Sequence, residues 1–247
     1  MKLTSRSLIA SAALLASVAS LAQTKAPEPD YTLAYNLGAT TDYRYRGISQ
    51  TRLKPTVQGG IDFSHKSGFY LGAWGSGIKW IKDGGGDASV ELDLYGGYKA
   101  TVGAIGYDLG VLTYQYPSNK LNPSANTTEL YGAATLGPAT LKYSHSVSNL
   151  FGFANSKNSG YLDLSASFDL GDGWSLAPHI GRQRVAHNSL YSYTDYSLAV
   201  NKDIDGLVLS ATLVGTDADQ AAYTTSAAAG GKFLGKSGLL LSVKKNF

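Results

Sequence analysis

Val90-Glu91-Leu92-Asp93-Leu94-Tyr95-Gly96-Gly97-Tyr98 puts apolar or small residues on every even position and two carboxylates among the odd ones. Side chains of an extended chain alternate between two faces, whereas a helix would scatter these acids and aliphatics around its surface. The stretch therefore reads as a strand with one apolar and one wet face. The same period returns at 31–39, 55–63, 107–111, 130–136, 141–147, 162–170, 174–180, 196–200, 207–213 and 239–243. With 69–78, whose facing the pattern leaves open, twelve strands are expected, and no helical period follows residue 22.

The connections order these strands. Longer polar stretches around 46–54, 79–88, 117–126, 148–158, 185–192 and 216–231 alternate with short turns at 65–68, 100–104, 137–138, 171–173 and 202–206. Bacterial outer-membrane barrels are built that way, with an even strand number, short turns at one end and long loops at the other. The expected fold is all-β: an antiparallel up-and-down transmembrane β-barrel of twelve strands. The last strand, Leu239 to Phe247, ends on an aromatic and resembles the terminal strand by which outer-membrane proteins are recognised for assembly, although Lys245 stands where an apolar residue is usual.

A secreted β-sandwich would also alternate, and its apolar parity could face a core. An open sheet of so many strands would leave two edges for aggregation, which closure removes. Tyr43, Tyr45, Trp80, Tyr98, Tyr107, Tyr143, Trp174, Tyr196 and Phe247 fall near strand ends, where rings belong at a lipid–water boundary.

Composition agrees. Charged residues make up 16% of the 247 residues, against about 25% in soluble domains. There is no cysteine, which excludes thiol nucleophiles, disulfides, zinc ribbons and iron–sulfur clusters. Residues 1–22 read as a secretory signal peptide: Lys2 and Arg6, an apolar run from Leu8 to Leu21, and small residues at Ser20 and Ala22. That run is too short for a membrane helix. Cleavage after Ala22 removes two of the 21 bases and leaves them nearly balanced by 18 acids, without the basic cluster of a nucleic-acid binder. The expected division is 1–22 signal peptide, 23–30 N-terminal lead and 31–247 outer-membrane barrel.

Thr41-Asp42-Tyr43-Arg44-Tyr45-Arg46-Gly47-Ile48-Ser49-Gln50, followed by Pro55, Gln58-Gly59-Gly60-Ile61-Asp62 and Ser67-Gly68-Phe69-Tyr70-Leu71-Gly72-Ala73-Trp74, resembles the opening signature of the TorF family. These are proteobacterial outer-membrane proteins assigned as porins, most without a known solute. Tyr45 stands where Phe is commoner in the family, and Gly77 where Asn is expected. The resemblance implies a porin-like barrel and names no substrate.

Continuing the first strand's parity past Ala39 sends Tyr43 and Tyr45 to the outer aromatic girdle and Asp42, Arg44 and Arg46 into the lumen. Lys54, Gln58 and Asp62 share that inward face on the second strand. With Glu91, Asp93, Glu129, Asp163 and Asp195 they form the expected pore-lining set, which could equally brace a narrow barrel by ion pairing. Gly59-Gly60 and Gly96-Gly97 mark curvature, a bulge or close packing. Twelve strands lie between the filled interior of eight and the wide channel of sixteen or more. The expected function is thus a porin-like channel for passive diffusion of small polar solutes. Mixed lumen charge points to neutral, zwitterionic or weakly cation-preferred ones. A non-conducting barrel with a structural or surface-binding role is the alternative.

An enzyme is the other class considered. His187-Asn188-Ser189 has the His-x-Ser spacing of an outer-membrane phospholipase, but it falls in a loop, and Asn201 is expected at the opposite end of its strand. The four histidines are scattered singly, and Asp83-Gly84-Gly85-Gly86-Asp87 lacks the alternating acids of a calcium loop, so neither metal nor cofactor is expected. The expected partners are outer-membrane lipid, the barrel assembly machinery through the strand ending in Phe247, and small polar solutes, with no nucleic acid.

Overall fold

The computed structural model describes residues 29–247. The leader expected over 1–22 lies outside them, as does most of the lead expected over 23–30. In chain order the described strands are β1 (Tyr31–Thr40), β2 (Arg44–Tyr45), β3 (Ile48–Ser49), β4 (Thr56–His65), β5 (Phe69–Gly77), β6 (Val90–Val102), β7 (Ile105–Gln115), β8 (Thr127–Leu136), β9 (Ala139–Ser146), β10 (Gly160–Ala166), β11 (Phe168–Gly171), β12 (Trp174–Arg184), β13 (Tyr193–Ile204), β14 (Leu207–Thr216) and β15 (Gly238–Asn246). From β4 to β10 and from β11 to β15 neighbours in sequence pair antiparallel, and β1 pairs with β4. β1 also pairs with β15, and β10 with β12, so the sheet closes on itself. β10 and β11 hold one register against β12 on either side of Ser167 and form a single stave. The barrel therefore has twelve staves, and β2–β3 is a separate hairpin.

Alternation decides the facing. Leu33, Leu37, Val57, Leu71, Leu109, Leu141, Leu164, Leu198, Leu213 and Leu241 stand exposed on the outer surface. A continuous apolar belt of this extent is tolerated only under lipid, far exceeding the few hundred Å² that soluble monomers expose. Phe69 and Leu71 point outward and Tyr70, Gly72 and Trp74 inward, which settles the facing of β5. Six of the nine aromatics expected at the boundary, Tyr98, Tyr107, Tyr143, Trp174, Tyr196 and Phe247, are exposed on the outside. Phe247 exchanges backbone hydrogen bonds with Tyr35 where β15 meets β1.

The buried apolar side chains sit among the loops at one end. Tyr43, Ile78, Ile81, Ala88, Tyr114, Tyr116 and Ala125 form one cluster, and Ile48, Tyr193 and Ala218 a second. One turn of helix, α1 (Trp80–Asp83), interrupts the loop after β5, although no helical period marks it, and carries Trp80 into the first cluster. Trp80 is thus packed edge-on against Tyr116 and not set in a lipid girdle.

Inside, rings lie over glycines. A Cβ on Gly72 would stand 2.5 Å from the Tyr95 ring, and one on Gly97 would stand 2.5 Å from the Tyr70 hydroxyl. β4 and β6 keep their register through Gly59-Gly60 and Gly96-Gly97, so these pairs serve close packing without a bulge. The lumen is consequently two-sided. Tyr70, Tyr95 and Tyr131 fill the side built by β4–β8, while Ser144, Ser165, Ser197, Thr212 and Ser242 line much of the opposite wall.

Candidate pore constriction

β1 stops at Thr40 because the chain turns inward there. Thr40 Oγ1 donates to the Asp42 carbonyl oxygen at 3.1 Å, and such local bonds compete with a strand ladder. Residues 41–55 then fold into the barrel mouth. Arg46 and Gly47, with φ of 47° and 78°, make the two-residue turn between β2 and β3, the positive-φ geometry that suits hairpin twist. Arginine in this conformation costs on the order of 1 kcal/mol.

The Arg46 guanidinium reaches across the lumen to β8. Nη1 and Nη2 donate to Glu129 Oε1 and Oε2 at 3.1 and 2.7 Å, and Nη1 also donates to Gln183 Oε1 on β12 at 2.7 Å. The guanidinium lies 4.2 Å from the Tyr161 ring centroid and 4.8 Å from that of Tyr45. The two charged side chains are only 6% and 1% exposed. A fork-on-fork pair of this kind fixes orientation as well as charge. On the far side, a Cβ on Gly47 would meet Thr216 Cγ2 at 2.5 Å and Asp195 Cβ at 2.7 Å. The tip thus touches walls on both sides of the barrel.

The hairpin has its own bracing. Asp42 accepts from Arg44 Nε, Ser49 Oγ and Thr51 Oγ1, at 2.5, 2.5 and 2.8 Å. Tyr43 Oη donates to Glu91 at 2.6 Å. Burial first, and then the Glu91 carboxylate, push the phenols of Tyr43 and Tyr116 well above their ordinary value, which keeps both as donors. The loop 217–237 backs the hairpin: Leu234 O accepts from Ser49 N and Arg44 Nη1, and Lys236 O accepts from Arg44 Nη2. That loop buttresses the insertion, while 41–55 crosses the lumen.

These positions correct the reading by strand parity. Asp42, Arg44 and Arg46 lie on the inserted loop and not on an extended β1. Tyr43 and Tyr45 pack inside, Tyr45 edge-on against Tyr114 and Phe151, because the turn at Arg46-Gly47 reverses the chain before it reaches a lipid boundary. Lys54 is exposed in the segment before β4 rather than on the strand. Gln58 lies on the inner face of β4 near Ser76, and Asp62 accepts from Tyr95 Oη. Glu91, Asp93 and Glu129 are buried at the insertion, with Asp93 Oδ1 lacking a partner among the described residues. Asp163 and Asp195 flank His179, 2.6 Å from Nε2 and 3.6 Å from Nδ1. His179 and Gln183 occupy the wet parity of β12, which could have identified them. The pairing of Arg46 with Glu129, 83 positions apart, left no local signal.

Two cavities meet the insertion. One, of about 600 Å³, lies on the lumen side under Arg46 and is lined by Gln58, Lys142, Ser144, Asp163, His179 and Thr212 among others. The other, of about 490 Å³, lies among the long loops and is rich in aromatics, including Trp80, Tyr116, Phe151, Phe153, Tyr193 and Tyr223. Tyr45 borders both.

The residues of the remaining motifs make other contacts. His187 Nδ1 contacts the Asn155 carbonyl oxygen, while Asn201 bonds to Ser175 and Ser210 on the strands flanking β13. Asp83 pairs with Arg52, and Asp87 with Lys120 at 2.9 Å.

The fold resembles solved porins. KdgM porin in complex with disordered oligogalacturonate superposes with a TM-score of 0.54 at 6% identity, covering 87% of this chain and 97% of that one. NanC porin gives 0.53 at 8% identity, covering 87% and 99%. No curated protein matches the sequence. The TorF likeness of the opening motif stays a resemblance, whereas a profile described as "Bacterial protein of unknown function (Gcw_chp)" matches residues 24–247, and the chain belongs to that family.

Proposed function

We propose that this barrel is an outer-membrane channel through which small polar solutes diffuse passively, with the inserted hairpin at 41–55 as its constriction. The observation that carries this reading is the Arg46 tip, held between Glu129 and Gln183, with a cavity on either side. An apolar exterior with a hydroxyl-rich inner wall suits water and polar solutes inside a bilayer. Similarity to two porins of nearly the same length supports a channel over an enzyme. The lumen holds acids and bases in close pairs, which favours neutral or zwitterionic solutes over a strongly charged chain.

Planar-bilayer recording of the refolded barrel tests this directly, with liposome swelling by small sugars and amino acids alongside. Stable conductance steps and swelling that falls with solute size are expected. A correctly folded, heat-modifiable barrel that never conducts would refute the channel and favour a structural or surface-binding role.

A further inference from the structure

The lipid-facing side of β12 runs Trp174, Leu176, Pro178, Ile180, and the same side continues with Arg182 and Arg184 toward the long loops. Both arginines are exposed. On the other staves the outward positions in that half are residues such as Leu92, Val111, Leu130, Leu213 and Leu239. A charge at the edge of an apolar belt reaches for the headgroup layer.

The register builds a patch around them. Arg184 pairs with Gly160, which pairs in turn with His145, and Arg182 pairs with Leu162, which pairs with Tyr143. Gly160 leaves a gap between Arg184 and His145, and the Tyr143 ring leans into it, its hydroxyl 2.5 Å from where a Cβ would stand. From Tyr143 to Thr194 the chain carries the bases His145, Lys157, Arg182, Arg184 and His187, besides His179, which faces the lumen between Asp163 and Asp195. Its three acids lie elsewhere: Asp163 faces the lumen, and Asp169 and Asp172 sit at the short-turn end. Protein partners occupy the guanidinium groups only in part. Arg182 Nη1 donates to Thr194 Oγ1 at 3.0 Å and lies 3.8 Å from Asp217, with both charged side chains more than half exposed. Arg184 Nη1 donates to the Asn158 carbonyl oxygen at 3.3 Å. Each guanidinium has five N–H donors in a fork that matches phosphate oxygens.

We infer that this sector binds the phosphate of an anionic lipid headgroup in the leaflet at the long-loop end, through Arg182 and Arg184 with the Tyr143 hydroxyl beside them. The inference rests on the membrane setting of the proposed channel and concerns a face that the channel does not use. A lipid, rather than free phosphate, is the occupant because Leu162, Leu164 and Ile180 lie directly below the arginines and accept acyl chains.

Native mass spectrometry of the refolded barrel in neutral detergent tests it, titrating diphosphorylated lipid A against the same lipid with its phosphates removed. The wild type should prefer the phosphorylated lipid by about thirtyfold, as two arginines at an anionic surface supply. R182Q/R184Q should bind the two lipids about equally, R182K/R184K should recover part of the preference, and conductance should be unchanged in both. A preference that survives R182Q/R184Q overturns the inference, as does millimolar inorganic phosphate displacing the lipid, which would indicate a free-anion site. Loss of preference in a wild-type barrel that still conducts sinks this inference alone. A chain that never enters a bilayer sinks the channel as well.

Discussion

Neutralising Arg46 by R46M should release the hairpin tip. The guanidinium makes three charge-assisted or polar hydrogen bonds, two to Glu129 and one to Gln183, and it is nearly inaccessible to water. Methionine retains much of the stem volume but leaves the buried Glu129 carboxylate with only the Tyr114 phenol, 3.1 Å away. Removing one partner of a buried pair costs about 3–5 kcal/mol. The ratio of docked to undocked tip should therefore fall by roughly a hundredfold to several thousandfold. In single-channel records this predicts a larger open level with frequent flicker, because the undocked tip no longer divides the lumen from the outer cavity. E129Q should do the same, stranding the cation. R46M/E129Q should return most of the wild-type conductance, since a neutral pair of similar volume leaves no uncompensated charge. Wild-type conductance in R46M, or coupling below about 0.5 kcal/mol across the cycle, would refute the tip contact as the constriction.

Four other outcomes follow from the same geometry. G47A should also displace the tip, since the added methyl meets Thr216 and Asp195 and the positive φ disfavours it; an unchanged conductance would show that the tip tolerates a shift. D42A removes the acceptor for Arg44, Ser49 and Thr51, and should loosen the hairpin by about 1–3 kcal/mol, seen as faster proteolysis within 41–55 while the heat-modifiable barrel persists. G97A should lower barrel stability in urea by about 1–3 kcal/mol, because its methyl enters the space of the Tyr70 hydroxyl and the Leu109 carbonyl. For the open channel, reversal potentials should show weak selectivity or a slight preference for cations. Clear anion selectivity would mean that Arg46 and Lys142 outweigh the surrounding acids.

The sequence by itself determined the barrel. Alternation is a property of the extended chain, so Val90 to Tyr98 declares its two faces without reference to any partner, and the alternation of long and short connections then orders the strands into a closed sheet. The outward rings Tyr98, Trp174 and Phe247, and the inward acids Glu91 and Glu129, followed from parity alone. Only the tertiary structure decided what Thr41 to Pro55 does. Its first residues, up to Arg46, keep an alternating pattern that continues β1, yet Arg46-Gly47 reverses the chain, and the contacts that make reversal favourable come from Glu91, Glu129, Gln183 and Leu234 on distant elements. Parity describes a strand only while the ladder lasts. Where a loop can bury its rings and pair its charges inside the mouth, long-range packing overrides the local pattern, and no spacing within the segment records the partners it will find.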